Sequence, residues 1–137
     1  MKNITLLLFI FLFSSATFAQ ISVNPLKNTQ WKGTVNVPDA TGTIITFDSV
    51  KVVFKEMMTG APIEELSYTI EGNIISMKKT AGSSPCTEAQ VSKLSFEIFK
   101  DKMILKVISD DCTIRAVAFT DENGNPYGWS KESIQTK

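Results

Sequence analysis

The sequence predicts an all-β protein, an eight-stranded antiparallel up-and-down β-barrel, and three observations carry that prediction. Short apolar-alternating runs recur along the chain, two-residue turns join some of them, and longer connections join the others. The tight turns are Asp48-Ser49, Gly72-Asn73 and Lys100-Asp101, and the longer connections are 38–42, 57–63 and 81–90. A meander that alternates in this way has one closed end and one end rimmed by loops, the outline of a cup.

Taken in order, the strands are 31–37, 43–47, 50–56, 64–71, 74–80, 91–99, 102–109 and 113–119. The Asp48-Ser49 turn brings Phe47 opposite Val50 and Ile45 opposite Val52. Around Gly72-Asn73, Ile70 meets Ile75 and Tyr68 meets Met77; around Lys100-Asp101, Ile98 meets Met103, Phe96 meets Leu105 and Leu94 meets Val107. Each pairing yields one apolar face, and a one-residue slip would scatter those side chains over both faces. The reverse faces carry Lys51, Lys55, Ser67, Thr69, Lys78, Ser95, Glu97 and Lys106, suited to water. Eight strands close a barrel whose interior holds side chains or one small ligand, and closure removes exposed edges. An open or sandwiched sheet is the alternative arrangement. No segment of useful length has a helical apolar period, so a helix-capped barrel is not expected.

Before the first strand lies a different kind of segment. Met1-Lys2-Asn3 is followed by an almost unbroken apolar run from Ile4 to Phe13, and Thr17-Phe18-Ala19 offers small residues at the positions a signal peptidase reads. Residues 1–19 are expected to be an export signal, too short in its apolar run for a membrane span. Residues 20–137 then form one domain, exported to a periplasmic or secreted location, soluble after cleavage and without membrane insertion. No cysteine stands at the cleavage site to carry a lipid anchor.

Charge and composition exclude several functions. The chain has 14 basic and 14 acidic residues, and no run of Lys or Arg makes a footprint for nucleic acid. It contains 0 His, which removes the common triads, the usual general base and the commonest metal ligand. No catalytic residues, cofactor or metal are expected, and the protein is read as a non-enzyme. Glu64-Glu65 and Asp110-Asp111 are sequence neighbours that face opposite sides of a strand, and both pairs are read as solvated charges. Asp121, Asn123, Asn125 and Glu132 have the spacing of a calcium loop, but Pro126 occupies the position that loop needs as Gly, so a polar turn over 121–124 is the better reading. Tyr127 and Trp129 are expected to fold back on the outside of the barrel or on its floor.

The two cysteines can be placed by the hairpin around Lys100-Asp101. Cys86 and Cys112 lie just beyond its two strands, at the same end, and are expected to form a disulfide. There is no Cys-x-x-Cys and no His to lower a thiol pKa, which argues against a redox pair.

Three segments resemble a known group. Thr29-Gln30-Trp31-Lys32-Gly33-Thr34, Gly82-Ser83-Ser84-Pro85-Cys86 and Asp110-Asp111-Cys112-Thr113-Ile114-Arg115 are similar to stretches of the lipocalin-like proteins of the calycin group, in particular the short exported bacterial ones. The resemblance implies a barrel with an internal site for a small apolar ligand, in a carrier, sensor or scavenger. In that group a Gly stands two residues before the first-strand Trp, and an Arg covers the Trp at the closed end. Here Gly33 follows Trp31, and Arg115 falls at the opposite end. Trp31 is read as a plug of the barrel floor.

The candidate ligand site is the lumen and its rim. Phe47, Phe54, Tyr68, Met77, Phe96, Ile98 and Leu105 are the inward residues, with Tyr68 as the polar handle for a ligand. Arg115 is placed at the mouth, where it pairs with a ligand carboxylate or forms a rim salt bridge to Asp110 or Asp111. Met57-Met58 stands in a rim loop as an apolar lip or a loop anchor. The leading expectation is non-enzymatic binding of a small hydrophobic or amphipathic molecule. The alternative is a protein-interaction or inhibitor module that uses loops 57–63 and 81–90 around a solid barrel.

Overall fold

The computed structural model describes residues 23–134, and the export signal expected over 1–19 lies outside them. The strands are β1 (Thr29–Asn36), β2 (Ala40–Phe47), β3 (Lys51–Glu56), β4 (Pro62–Glu71), β5 (Ile74–Gly82), β6 (Val91–Phe99), β7 (Lys102–Asp110) and β8 (Gly128–Glu132), with one short helix, α1 (Thr113–Ala118), between the last two. They form a closed barrel in sequence order, every pair antiparallel. The predicted fold class and seven of the eight strands are therefore observed, with shifted ends.

Two hairpin registers match the expectation: Tyr68 opposes Met77 across β4 and β5, and Phe96 opposes Leu105 across β6 and β7. The first hairpin differs. Phe47 opposes Val52 and Ile45 opposes Phe54, so the turn centres on Ser49-Val50, and Val50, expected inward, is 60% exposed. The cause is the Asp48 side chain. Its carboxylate accepts from Val50 N at 2.7 Å and Lys51 N at 2.6 Å, while Asp48 N donates to Lys51 O, which draws Asp48 into the ladder. A shift of two residues keeps every side chain on its face.

Those backbone donors, Val50 first and Lys51 second, hold the Asp48 carboxyl below its ordinary range. A carboxylate whose folded pKa is depressed contributes stability that is present above its unfolded pKa and lost as pH falls through the folded one. The amide resonances of Val50 and Lys51 should accordingly titrate together, at a pH below the ordinary aspartate range. A midpoint at or above the ordinary aspartate value would contradict this account of the turn.

The largest departure follows β7. Residues 113–119 were expected as the eighth strand, but 113–118 are helical and the barrel closes through β8, which pairs Gln30–Lys32 of β1 and Lys102–Ile104 of β7. In six residues, Thr-Ile-Arg-Ala-Val-Ala, a period of two and one of 3.6 are hard to distinguish. The helix buries Arg115 and Ala118, three apart, and leaves Ile114 and Val117 exposed. Trp129 is correspondingly not an outside residue. It lies on β8, buried, over Gly33 of β1, where an added methyl would overlap its six-membered ring. Gly33→Ala should therefore cost about 1–3 kcal/mol, because the barrel must shift to admit one carbon. Unfolding by urea measures it, and an unchanged midpoint would refute the packing argument.

Both ends are covered. At the tight-turn end, residues 25–28 form a turn that places Leu26 over the interior at 0% exposure, held by Leu26 N to Asn24 Oδ1 and Thr29 Oγ1 to Leu26 O. Trp31 is buried in the same region, its Nε1 donating to Thr29 Oγ1 and Lys131 Nζ standing 5.9 Å over its ring. At the other end α1 and the segment after it cover the mouth.

Candidate functional site

The structure fills the predicted lumen with side chains. Phe47, Phe54, Tyr68, Met77, Phe96 and Leu105 all belong to one buried cluster with Leu26, Trp31, Phe119 and Trp129. Ile98 does not; at the turn end of β6 it is 38% exposed, beyond the reach of the interior. Tyr68 is no free handle either, because its hydroxyl donates to Asp48 O at 2.6 Å and accepts from Asn24 Nδ2 at 2.8 Å. Burial pushes the phenol up, partly countered by the Asn24 bond. Its ring meets Phe47 edge-on at 5.4 Å, so Tyr68 helps close the barrel floor.

Tyr68 and Met77 border an open recess of about 270 Å³ along β4 and β5 with Ser67, Ser76 and Val91, and further free space is found at the α1 end. A narrow cavity beneath α1 runs between Val35, Phe54, Ile63, Glu64, Arg115 and Phe119, and the centre of a water-sized sphere can sample about 40 Å³ of it. The pockets that enclose drug-sized ligands measure about 300–1,000 Å³. A wider, half-open groove of about 470 Å³ adjoins it, and the two share Val37, Ile63, Ser84, Pro85 and Ile114.

Each wall has a local cause. The connection after β1 is only Val37-Pro38-Asp39, so Val37 and Pro38 stay against the barrel end. The segment after β5 turns over the start of β4 at Gly82, whose φ of +112 suits glycine and whose added Cβ would lie 2.6 Å from Ile63 O. Ser83 N then bonds Ile63 O, and Ser84 Oγ reaches Glu64 Oε1 at 2.8 Å. The expected disulfide is present between Cys86 and Cys112, and it ties this segment to the first turn of α1. Phe119, just past α1, packs edge-on against Phe54 with centroids 5.8 Å apart.

Arg115 is the electrostatic centre of this end. It is 4% exposed, so it is neither an exposed rim bridge nor free for a ligand. Nε and Nη2 grip the two oxygens of Asp110 at 2.8 and 2.9 Å, Nη1 reaches Glu64 Oε1 at 3.2 Å, and Nη2 also meets Gln90 O. Burial pulls the guanidinium pKa down, but the Asp110 and Glu64 carboxylates outweigh that and raise it. Asp110 and Glu64 are themselves buried, which corrects their reading as solvated charges; Glu65 and Asp111 are the outward members of each pair.

Among the described residues no group of His, Cys, Asp and Glu has the placement of a metal site, and Asp121 accepts from Asn123 N and Asn125 N in a polar turn. Glu132, the last residue of the calcium-like spacing, is on β8 and pairs with Lys32. Of the predicted ligand residues, only Phe54 and Arg115 line the cavity. Glu64, Ser84, Val37 and Ile114 went unpredicted as site residues. Glu64 was legible, since strict alternation from Tyr68 through Leu66 puts it on the inward face.

Comparison with family models, with curated proteins and with solved structures finds no match for this chain.

Proposed function

We propose that this protein is a non-enzymatic recognition module, which presents the groove at its α1 end to a partner protein around a solid, lipocalin-like barrel. The observation that carries the reading is the distribution of space: the interior is filled by one cluster, and the larger recess is on the rim. Its apolar walls come from three separate connections on a rigid frame, an arrangement suited to recognition. The meander and the cation over Trp31 support the lipocalin-like assignment. The Cys86–Cys112 disulfide supports an oxidising, exported location.

An internal carrier is the competing reading, and two measurements separate them. An apolar dye should find no saturable interior site, and Phe96→Trp should cost about 1–3 kcal/mol because packed neighbours must move. A partner captured from the exported fraction of the source should be lost with the double variant Ile114→Ser, Pro85→Ser and kept with Phe99→Ser at the opposite end. Saturable dye binding abolished by Phe96→Trp, without loss of stability, would restore the carrier.

A further inference from the structure

We infer that the tight-turn end of the barrel docks on an anionic lipid bilayer, with Ile98 and Phe99 of the β6–β7 hairpin entering the headgroup layer and nearby lysines meeting the lipid charge. This surface lies at the end opposite the groove, so the inference does not rest on the rim reading.

The first observation is a projecting hairpin tip with apolar side chains. Ile74, the first residue of β5, opposes Ser95, and Asn73 O accepts from Phe96 N, so β6 runs on past the β4–β5 turn to Phe99. There Ile98 is 38% and Phe99 74% exposed, and Phe99 is the one aromatic side chain among the described residues that stands open to solvent. Val50, on the β2–β3 turn of the same end, is exposed as well. Ile98 and Phe99 are consecutive in a strand, so they face opposite sides of the hairpin. A flat protein partner covers one side of such a tip, whereas lipid closes around both.

Charge is the second observation, and it gives the lipid its sign. Lys100 and Lys102 flank Asp101 at the tip, and Lys131 N donates to Asp101 O, which brings a third lysine beside them. All three are exposed, and none is paired with a carboxylate among the described residues. Lys100 Nζ stands over the Phe99 ring, and Lys102 Nζ donates to Ser130 Oγ. Glu97 and Glu132 on the adjoining strands are already engaged by Lys106 and Lys32. On the other turns of this end, Lys27 offsets Glu71, and Asp48 is held by its own backbone. The tip is therefore positive in a chain whose basic and acidic residues balance. Lysine stems lie along apolar surface while their ammonium groups stay at the level of lipid phosphates.

The path of the chain is the third observation. Asn24 Nδ2 bonds the Tyr68 hydroxyl, which bonds Asp48 O, so the chain enters the barrel at this same end. Residues 1–22, with their apolar run from Ile4 to Phe13, join here. The expected export signal therefore presents this end, and not the groove, to the membrane it crosses.

The test uses the exported chain after signal removal, sedimented with vesicles of phosphatidylcholine alone or of equal parts phosphatidylcholine and phosphatidylglycerol. The parent should bind the anionic vesicles about ten-fold more tightly than the neutral ones, and high salt should erase the difference. Phe99→Ser should weaken binding to the anionic vesicles by about ten-fold. The double variant Lys100→Gln, Lys102→Gln should lose most of the anionic preference. These three side chains are exposed, so the variants should melt as the parent does. The double variant Ile114→Ser, Pro85→Ser should bind vesicles like the parent. Absence of sedimentation with anionic vesicles overturns the inference, as does binding that Phe99→Ser leaves untouched or that is equal on both vesicles. Partner capture lost with Phe99→Ser, without vesicle binding, would make this end a protein interface and overturns it too. The rim reading is judged separately, by partner capture with the Ile114 and Pro85 variant.

Discussion

Arg115→Ala should lower the unfolding free energy by about 3–5 kcal/mol, the largest loss expected of any single change at the α1 end. The reason is what remains behind. Asp110 and Glu64 stay buried, each without the cation that compensates it, and the Gln90 carbonyl loses a donor. An exposed ion pair gives up only about 0–1 kcal/mol, so the magnitude itself distinguishes the buried arrangement from a rim bridge. Arg115→Lys should fall between parent and Ala, since it keeps the charge but cannot grip both oxygens of Asp110. Urea denaturation of the three proteins checks the order. A loss under about 1 kcal/mol for Arg115→Ala would mean that the guanidinium is solvated and the cluster is not closed.

Loss of the disulfide should cost nearly as much. Cys86 and Cys112 are 26 residues apart, and on the chain-entropy model a loop of that size contributes about 3–4 kcal/mol by restricting the unfolded chain. Purified protein should show no free thiol, folded or denatured, until it is reduced. The double variant Cys86→Ala, Cys112→Ala should melt at a lower temperature, and the structure adds where the effect is felt. The bridge joins the 83–90 connection to the start of α1, while the barrel strands keep their own ladders. Hydrogen exchange should therefore quicken around residues 83–90 and 111–118 more than in β4 to β7. Stoichiometric thiol labelling of the unreduced protein would defeat the prediction.

These two losses fall on the same end of the molecule, and together they bear on the proposed site. The cavity beneath α1 exists because a short helix is held over the barrel mouth by a covalent bridge, a buried ion cluster and the Phe54–Phe119 contact. A helix of six residues has little stability of its own, so tertiary contacts must hold it. Weakening either anchor should loosen the groove before the barrel.

Local pattern determined the barrel wall. Alternation and turn residues placed β1 to β7, with β4–β5 and β6–β7 in their observed registers, because each hairpin's pairing depends only on a turn and a period of two. The same pattern made the Cys86–Cys112 bridge legible, since both residues lie just past the β6–β7 hairpin. The inward place of Glu64 lay in the same alternation but was missed, because the pair Glu64-Glu65 was read as solvated charge. What followed β7 was decided elsewhere. Residues 113–118 carry too few positions to fix a period, and they are helical where Arg115 can reach Asp110 and Glu64 while the bridge holds Cys112. β8 is five residues containing a glycine, weak as an isolated strand signal, yet it closes the barrel because Trp129 fits the space left by Gly33. Whether the interior was empty or full likewise could not follow from alternation, which tells which side chains face inward but not how much volume they leave. Leu26 from one end and Phe119 from the other supply the missing volume, and both come from segments outside the strands. Periodicity is local and can be read along the chain; filling a cavity depends on residues distant in sequence, and only their packing in three dimensions settles it.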